Sequence, residues 1–142
     1  MAFLTGFVFI YAGIVVGNIG GGLAPFVFAF EINLIRELVK DIEDYEGDSA
    51  NMLKTLPIAK GILFTEKIIS IIIILMIVTS PIPYFYFHYN YEFLFLILFV
   101  VDLPLVKILI NINSDAPDYH KISKHLKILM ILGLIILIAG VL

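Results

Sequence analysis

The chain has 142 residues, 61% of them hydrophobic and 15% charged, with a formal net charge of −3 and a mean hydropathy of +1.08. A soluble domain is about half apolar and a quarter charged, so most of this surface is expected to meet lipid. The acidic balance argues against a nucleic-acid partner, and the absence of cysteine excludes a disulfide framework or a thiolate metal site.

Five apolar segments are expected to be transmembrane helices, at approximately residues 2–17, 23–45, 62–80, 92–112 and 122–142. A crossing takes roughly 20 helical residues, and lipid cannot satisfy open strand edges. The first segment is short and has neither the basic flank nor the cleavage site of a signal peptide; a chain beginning inside a helix, as a fragment would, fits it. Gly17 and Asn18, then Gly20, Gly21 and Gly22, break it from the second. That glycine run is not followed by the Lys-Ser/Thr of a phosphate loop, so a tight turn or close helix packing is expected there. The second segment runs from Leu23 into an increasingly polar stretch near Tyr45. The third stops at Pro81-Ile82-Pro83, and Glu66 and Lys67, about one turn inside it, are expected to reach back to the interface.

Between segments three and four, the Tyr and Phe of Pro83–Tyr91 form an aromatic belt in a chain without Trp. The fourth segment holds Pro104, an expected kink, flanked by Asp102 and Lys107, for which an ion pair inside the bundle is expected. In the fifth, residues 128–142 carry no charge. His88, His120 and His125 are scattered, so no histidine metal centre is expected. All nine Lys and Arg (Arg36, Lys40, Lys54, Lys60, Lys67, Lys107, Lys121, Lys124, Lys127) gather around the connections between segments two and three and between four and five. Alternation puts both connections on one side, and basic connections are cytoplasmic.

Chemistry concentrates in Asn33 to Asp48 and in Lys54-Thr55-Leu56-Pro57 after it. At helical spacing Asn33, Glu37, Asp41, Asp44 and Asp48 step by three or four, as do Arg36, Lys40 and Asp44, so both rows share a face. Gly47 is a candidate helix stop before Asp48. Carboxylates alone repel a phosphorylated ligand. One or two of them holding Mg²⁺ attract it, with waters and phosphate oxygens completing the octahedron, and Arg36 and Lys40 can neutralise diphosphate oxygens directly. The pattern equally fits a solvated juxtamembrane helix with weak internal ion pairs. In that case the chain is a non-catalytic membrane subunit or transporter half whose acidic stripe binds cations.

The stretch Arg36-Glu37-Leu38-Val39-Lys40-Asp41-Ile42-Glu43-Asp44-Tyr45-Glu46-Gly47-Asp48, with Lys54-Thr55-Leu56-Pro57, resembles the second aspartate-rich motif of the UbiA superfamily of intramembrane prenyltransferases, in its archaeal ether-lipid form. Phe3-Leu4-Thr5-Gly6 to Gly13 and Ile122-Ser123-Lys124-His125-Leu126-Lys127-Ile128 resemble the family's fifth and ninth helices more loosely. The resemblance implies an all-α membrane domain forming the carboxy-terminal half of a nine-helix bundle, with its aspartate motif at the cytoplasmic face of the cell membrane. It implies Asp44 and Asp48 as Mg²⁺ ligands, Asp41 as a third catalytic carboxylate, and a diphosphate held by Arg36, Lys40, Lys54 and Asn33. The implied reaction is transfer of a geranylgeranyl or other polyprenyl group from its diphosphate to a lipid acceptor, geranylgeranylglyceryl phosphate. The family's other aspartate motif has no counterpart here, so an amino-terminal half is the implied partner.

Overall fold

A computed structural model describes residues 2–17 and 19–140, and every regular element among them is helical. The helices are α1 (Ala2–Val16), α2 (Ile19–Glu43), α3 (Tyr45–Ala50), α4 (Leu56–Lys60), α5 (Ile62–Thr79), α6 (Ile82–Tyr86), α7 (Tyr91–Leu96), α8 (Leu103–Ile112) and α9 (Tyr119–Ala139), with a π-helical segment, Ile97–Asp102, joining α7 to α8. Three continuous stretches, Ile62–Tyr86, Tyr91–Ile112 and Tyr119–Ala139, are long and apolar enough to cross a membrane, and Phe3–Val15 is a shorter apolar helix. The protein is an all-helical, polytopic membrane protein.

α2 is the hub, packed against α1, α5 and α9. Ile32, Ile35, Val39 and Ile42 recur every three or four positions and make one buried face. In the same core lie Ile69, Ile73 and Met76 of α5, Val101 and Leu105 at the α8 junction, and Leu126 and Leu129 of α9. On the outside, Leu63, Ile71, Val78, Ile110 and Ile138 are exposed. An apolar residue at such a position loses nothing when the surrounding medium is hydrocarbon.

Four local features differ from the expectation. The glycine run does not break the helix; it forms the first turn of α2, and the chain reverses at Gly17, whose φ of +76° suits glycine. Gly22 is buried, and a Cβ there would run into the backbone carbonyl of Phe9, so α1 and α2 approach backbone to backbone. Asn18 and residues 141–142 of the fifth segment lie outside the described residues. The connection between the second and third segments, residues 44–60, on the side of the aspartate motif, reads as a loop from the segment bounds but folds into α3 and α4, the second with a proline in its first turn.

The kink expected at Pro104 takes the form of the π segment just before it. Proline offers no N–H to the carbonyl one turn earlier, and a wider turn redistributes the local hydrogen bonds. Asp102 and Lys107 do not pair. Asp102 is buried and accepts a 2.7 Å hydrogen bond from Ser80 Oγ, whereas Lys107 is exposed. Five residues of α-helix put the two side chains roughly 140° apart.

Candidate functional site: the acidic end of α2

The last turns of α2 lie beyond the roughly 20 residues that cross a bilayer. Their buried edge is Leu38, Val39 and Ile42, while Glu37, Asp41 and Glu43 are only half-buried and Lys40 is exposed. At Asp44 the backbone leaves ideal helical geometry (φ −91°, ψ 8°), ending α2. The hydrogen-bond ladder nevertheless continues through it: Asp44 N donates to Lys40 O at 2.9 Å and Asp48 N to Asp44 O at 2.9 Å. Gly47 therefore does not stop the helix, and Asp48 stands one turn after Asp44 in α3. The stop comes at Asn51, whose Nδ2 donates to Gly47 O at 2.8 Å, followed by Met52 at φ 54°.

The carboxylates form an electrostatic cluster. Burial pushes the Asp41 carboxyl above the usual aspartate range, and the charges of Asp48, Glu37 and Asp44 push it further. One cation is already engaged: Lys40 Nζ lies 3.1 Å from Asp44 Oδ2, with both side chains about half exposed, a pair of small net worth in this setting. Arg36 is half-buried, and its Nε is shielded from solvent without a hydrogen-bond partner. Lys54 is exposed in the connection between α3 and α4. Asn33 lies further down, roughly 16 Å of helix rise before Asp44, and its Nδ2 donates to Ala29 O at 2.8 Å. Among the described residues, no group of three or more His, Asp or Glu converges into a preformed metal cage.

Other helices brace this end. His120 Nδ1 of α9 lies 2.7 Å from Glu43 Oε1. Tyr119 Oη donates to Glu66 Oε1 of α5, so Glu66 is held by a neighbouring helix, while Lys67 is exposed. Asn113 Nδ2 donates to Ser70 Oγ at 3.1 Å. The motif is thereby tied to the starts of α5 and α9.

Sequence reasoning passed over Glu31. It lies midway along α2, 5% exposed, and its Oε2 accepts from Thr79 Oγ1 at 3.2 Å. The available sign was a carboxylate inside an otherwise apolar run, a functional suspect by default. Glu31 borders a cavity of about 640 Å³ at the end of the bundle away from the motif, lined by the first half of α2, the end of α5, α6 and α7.

Helices of membrane-spanning length around a charged helix end define a polytopic membrane protein, and sequence comparison specifies its relatives. The chain is a homologue of the UbiA-type prenyltransferases. Its relatives are digeranylgeranylglyceryl phosphate synthases. It is 35% identical to that of Methanosphaera stadtmanae over 146 aligned residues, 100% of this chain and 53% of the relative. It is 53% identical to that of Thermococcus sibiricus over 70 residues, 48% of this chain and 24% of the relative. A solved structure, described as giving insight into the biosynthesis of digeranylgeranylglyceryl phosphate synthase in membranes, superposes with a TM-score of 0.90 at 29% identity, covering 98% of this chain and 50% of that one. No family model matches the sequence. The chain spans about half the length of the relative and of the solved structure that it matches from end to end.

Proposed function

We propose that this chain supplies one wall of the active site of a prenyltransferase of archaeal ether-lipid synthesis, transferring a geranylgeranyl group from its diphosphate to geranylgeranylglyceryl phosphate. The observation that carries the reading is the carboxylate cluster of Asp41, Asp44 and Asp48, held at the end of a bundle-central helix beside Arg36 and Lys40. The names of the relatives agree with it.

The residues suit Mg²⁺ as a shared ligand set, not as a cage. Mutual repulsion at Asp41 shows negative charge in excess of what Lys40 neutralises, and Mg²⁺ takes only one or two protein carboxylates when substrate phosphates supply the rest. Asp44 and Asp48, one turn apart, would hold it, with Asp41 beside them; once bound, it supplies charge stabilisation to the departing diphosphate. Arg36 offers a shielded Nε–H lacking a partner, which a diphosphate oxygen would satisfy. Lys40 and Lys54 would add positive charge on the exposed side. Asn33, bonded back to its own helix, would line the approach deeper in the bundle. The apolar helices would exclude water from the allylic carbon as the carbon–oxygen bond to diphosphate breaks.

Because the chain covers half the length of its relatives, we expect it to act with an amino-terminal half carrying the opposing aspartate motif. The test is co-expression. The chain alone should insert but show no Mg²⁺-dependent prenyl transfer, and activity should return when the corresponding amino-terminal half is supplied. Robust turnover by the purified chain alone would overturn the half-site reading. No turnover in the combined protein would overturn the enzymatic reading and favour a cation-binding membrane subunit. A cytoplasmic location of the motif is tested separately: cysteine at Ser49 should be protected from impermeant thiol reagents in intact cells, and cysteine at Glu92 labelled.

A further inference from the structure

The cavity at the far end of the bundle is a different place from the acidic motif. Glu31 precedes Asp44 by 13 positions, roughly 20 Å of helix rise, and the cavity face of α2 is turned roughly 100° from the motif row. Its walls are apolar: Leu23, Val27 and Phe28 of α2, Met76 of α5, Phe93 and Ile97. Its volume of about 640 Å³ falls within the range of ligand sites. Set into these walls is a small group of hydrogen-bonding atoms. Glu31 accepts from Thr79, and the neighbouring Ser80 lines the same cavity while donating to Asp102. Asp102 Oδ1 is buried without a partner. Two carboxylates, each 5% exposed, thus stand behind adjacent hydroxyls, although one hydroxyl satisfies only part of a carboxylate's accepting capacity. Groups so placed are costly unless something completes their hydrogen bonds.

We infer that this cavity is a binding site for a neutral lipid bearing a hydroxyl head group, whose hydroxyl donates to Glu31 while its chain lies along the apolar wall. Among the described residues, no Lys, Arg or His lines the cavity to meet a phosphorylated or carboxylated head, so a diphosphate is disfavoured there. An ammonium head would have to be stripped of water to reach mid-helix depth, whereas an alcohol enters without desolvating a charge. A hydroxyl donates one hydrogen bond, matching the accepting capacity that Thr79 leaves unmet at Glu31. A plain hydrocarbon would fill the volume and leave the acceptors unmet. The rim, Ile82, Pro83, Tyr86 and Phe87, belongs to the aromatic segment, the kind of belt found where headgroups meet hydrocarbon. Entry from lipid at that level is the natural route.

The test is photolabelling of the chain in lipid nanodiscs with three diazirine probes of matched length: a fatty alcohol, a hydrocarbon and a fatty acid. The alcohol should label residues 23–31 and 79–87, should be displaced by unlabelled octadecanol, and should exceed the other two by about tenfold, the scale of one hydrogen bond to a buried carboxylate. Glu31→Leu, which keeps the bulk and removes the acceptor, should abolish that preference. Equal labelling by alcohol and hydrocarbon, or preference for the acid, would overturn the inference, and so would an unchanged preference in Glu31→Leu. If that variant does not insert, the head-group selectivity of the unaltered chain decides. Labelling should be indifferent to Mg²⁺, to inorganic diphosphate and to Asp44→Ala. Dependence on any of them would show that the cavity belongs to the motif site, so the two readings fail separately.

Discussion

The two ends of the bundle handle negative charge in opposite ways. At the motif end, Asp41, Asp44 and Asp48 crowd together near water, with one half-exposed lysine as local relief. At the other, Glu31 and Asp102 are kept apart and buried, each held by a single hydroxyl. Solvent contact leaves the crowded carboxylates open to a cation from outside, which would relieve their mutual repulsion. Burial beside hydroxyls makes the other two parts of the packing. The same side-chain chemistry is thus a candidate for catalysis at one end and for structure or lipid recognition at the other.

That contrast can be broken by substitution. Asp44→Asn in the combined protein should lower prenyl transfer by at least ~10²–10³, as removing an oriented charge stabiliser does, while leaving thermal unfolding in detergent almost unchanged. Loss of fold instead would make the motif structural. Gly133 is buried, and a Cβ there would land on the Phe28 ring; Gly133→Leu should cost about 1–3 kcal/mol in overpacking where α9 meets α2, read as a lower unfolding temperature. Ser80→Ala strands Asp102 without any partner and should cost about 1–3 kcal/mol, with Asp102→Asn milder because an amide can still accept from Ser80.

A smaller effect of opposite sign is expected at Asp41. Its carboxyl is pushed up by burial and by its acidic neighbours, so the proton it holds more tightly when folded stabilises the fold at low pH, and this contribution is lost as pH rises through the raised value. Asp41→Asn should therefore flatten the acid side of the stability profile and stabilise the metal-free chain at neutral pH, while weakening Mg²⁺-dependent diphosphate binding. A destabilised Asp41→Asn at neutral pH would argue against a strained cluster. The smallest change belongs to His120→Gln, whose exposed ring meets Glu43; a loss of stability beyond a few tenths of a kcal/mol would exceed what surface pairs give.

Features written in local sequence were legible without coordinates. Apolar runs near 20 residues marked the three stretches long and apolar enough to cross a membrane, and a three-four spacing marked the row from Asn33 to Asp48. Features that depend on a partner far along the chain were not. Glu31 is meaningful because of Thr79, 48 residues away, and Asp102 because of Ser80, 22 residues away. The Asp102–Lys107 expectation failed because proximity in sequence stood in for facing direction. Gly47 looked like a stop, but the ladder from Lys40 to Asp44 to Asp48 carries the helix past it. Gly20 to Gly22 looked like a break, but the close helix packing also expected of that run is what the structure shows, at Gly22 against Phe9.

The π segment Ile97–Asp102 acts as a phase shift in an otherwise regular helix. A π turn holds about one residue more than an α turn, so the two flanking halves are indexed differently around the bundle. Phe93 on one side, and Leu105, Ile108 and Ile112 on the other, all face inward only because the wider turn takes up that extra residue. Deleting a single residue such as Val100 would let the helix run as uninterrupted α with the two halves still in phase, whereas adding one more residue would rotate one half by roughly 100° against the other. Either the inward row of α8 or Phe93 would then swing into lipid, and Asp102 would leave Ser80. A conservative substitution at the same place would leave the indexing intact. The stretch should therefore tolerate changes of identity, or the loss of one residue, far better than the addition of one.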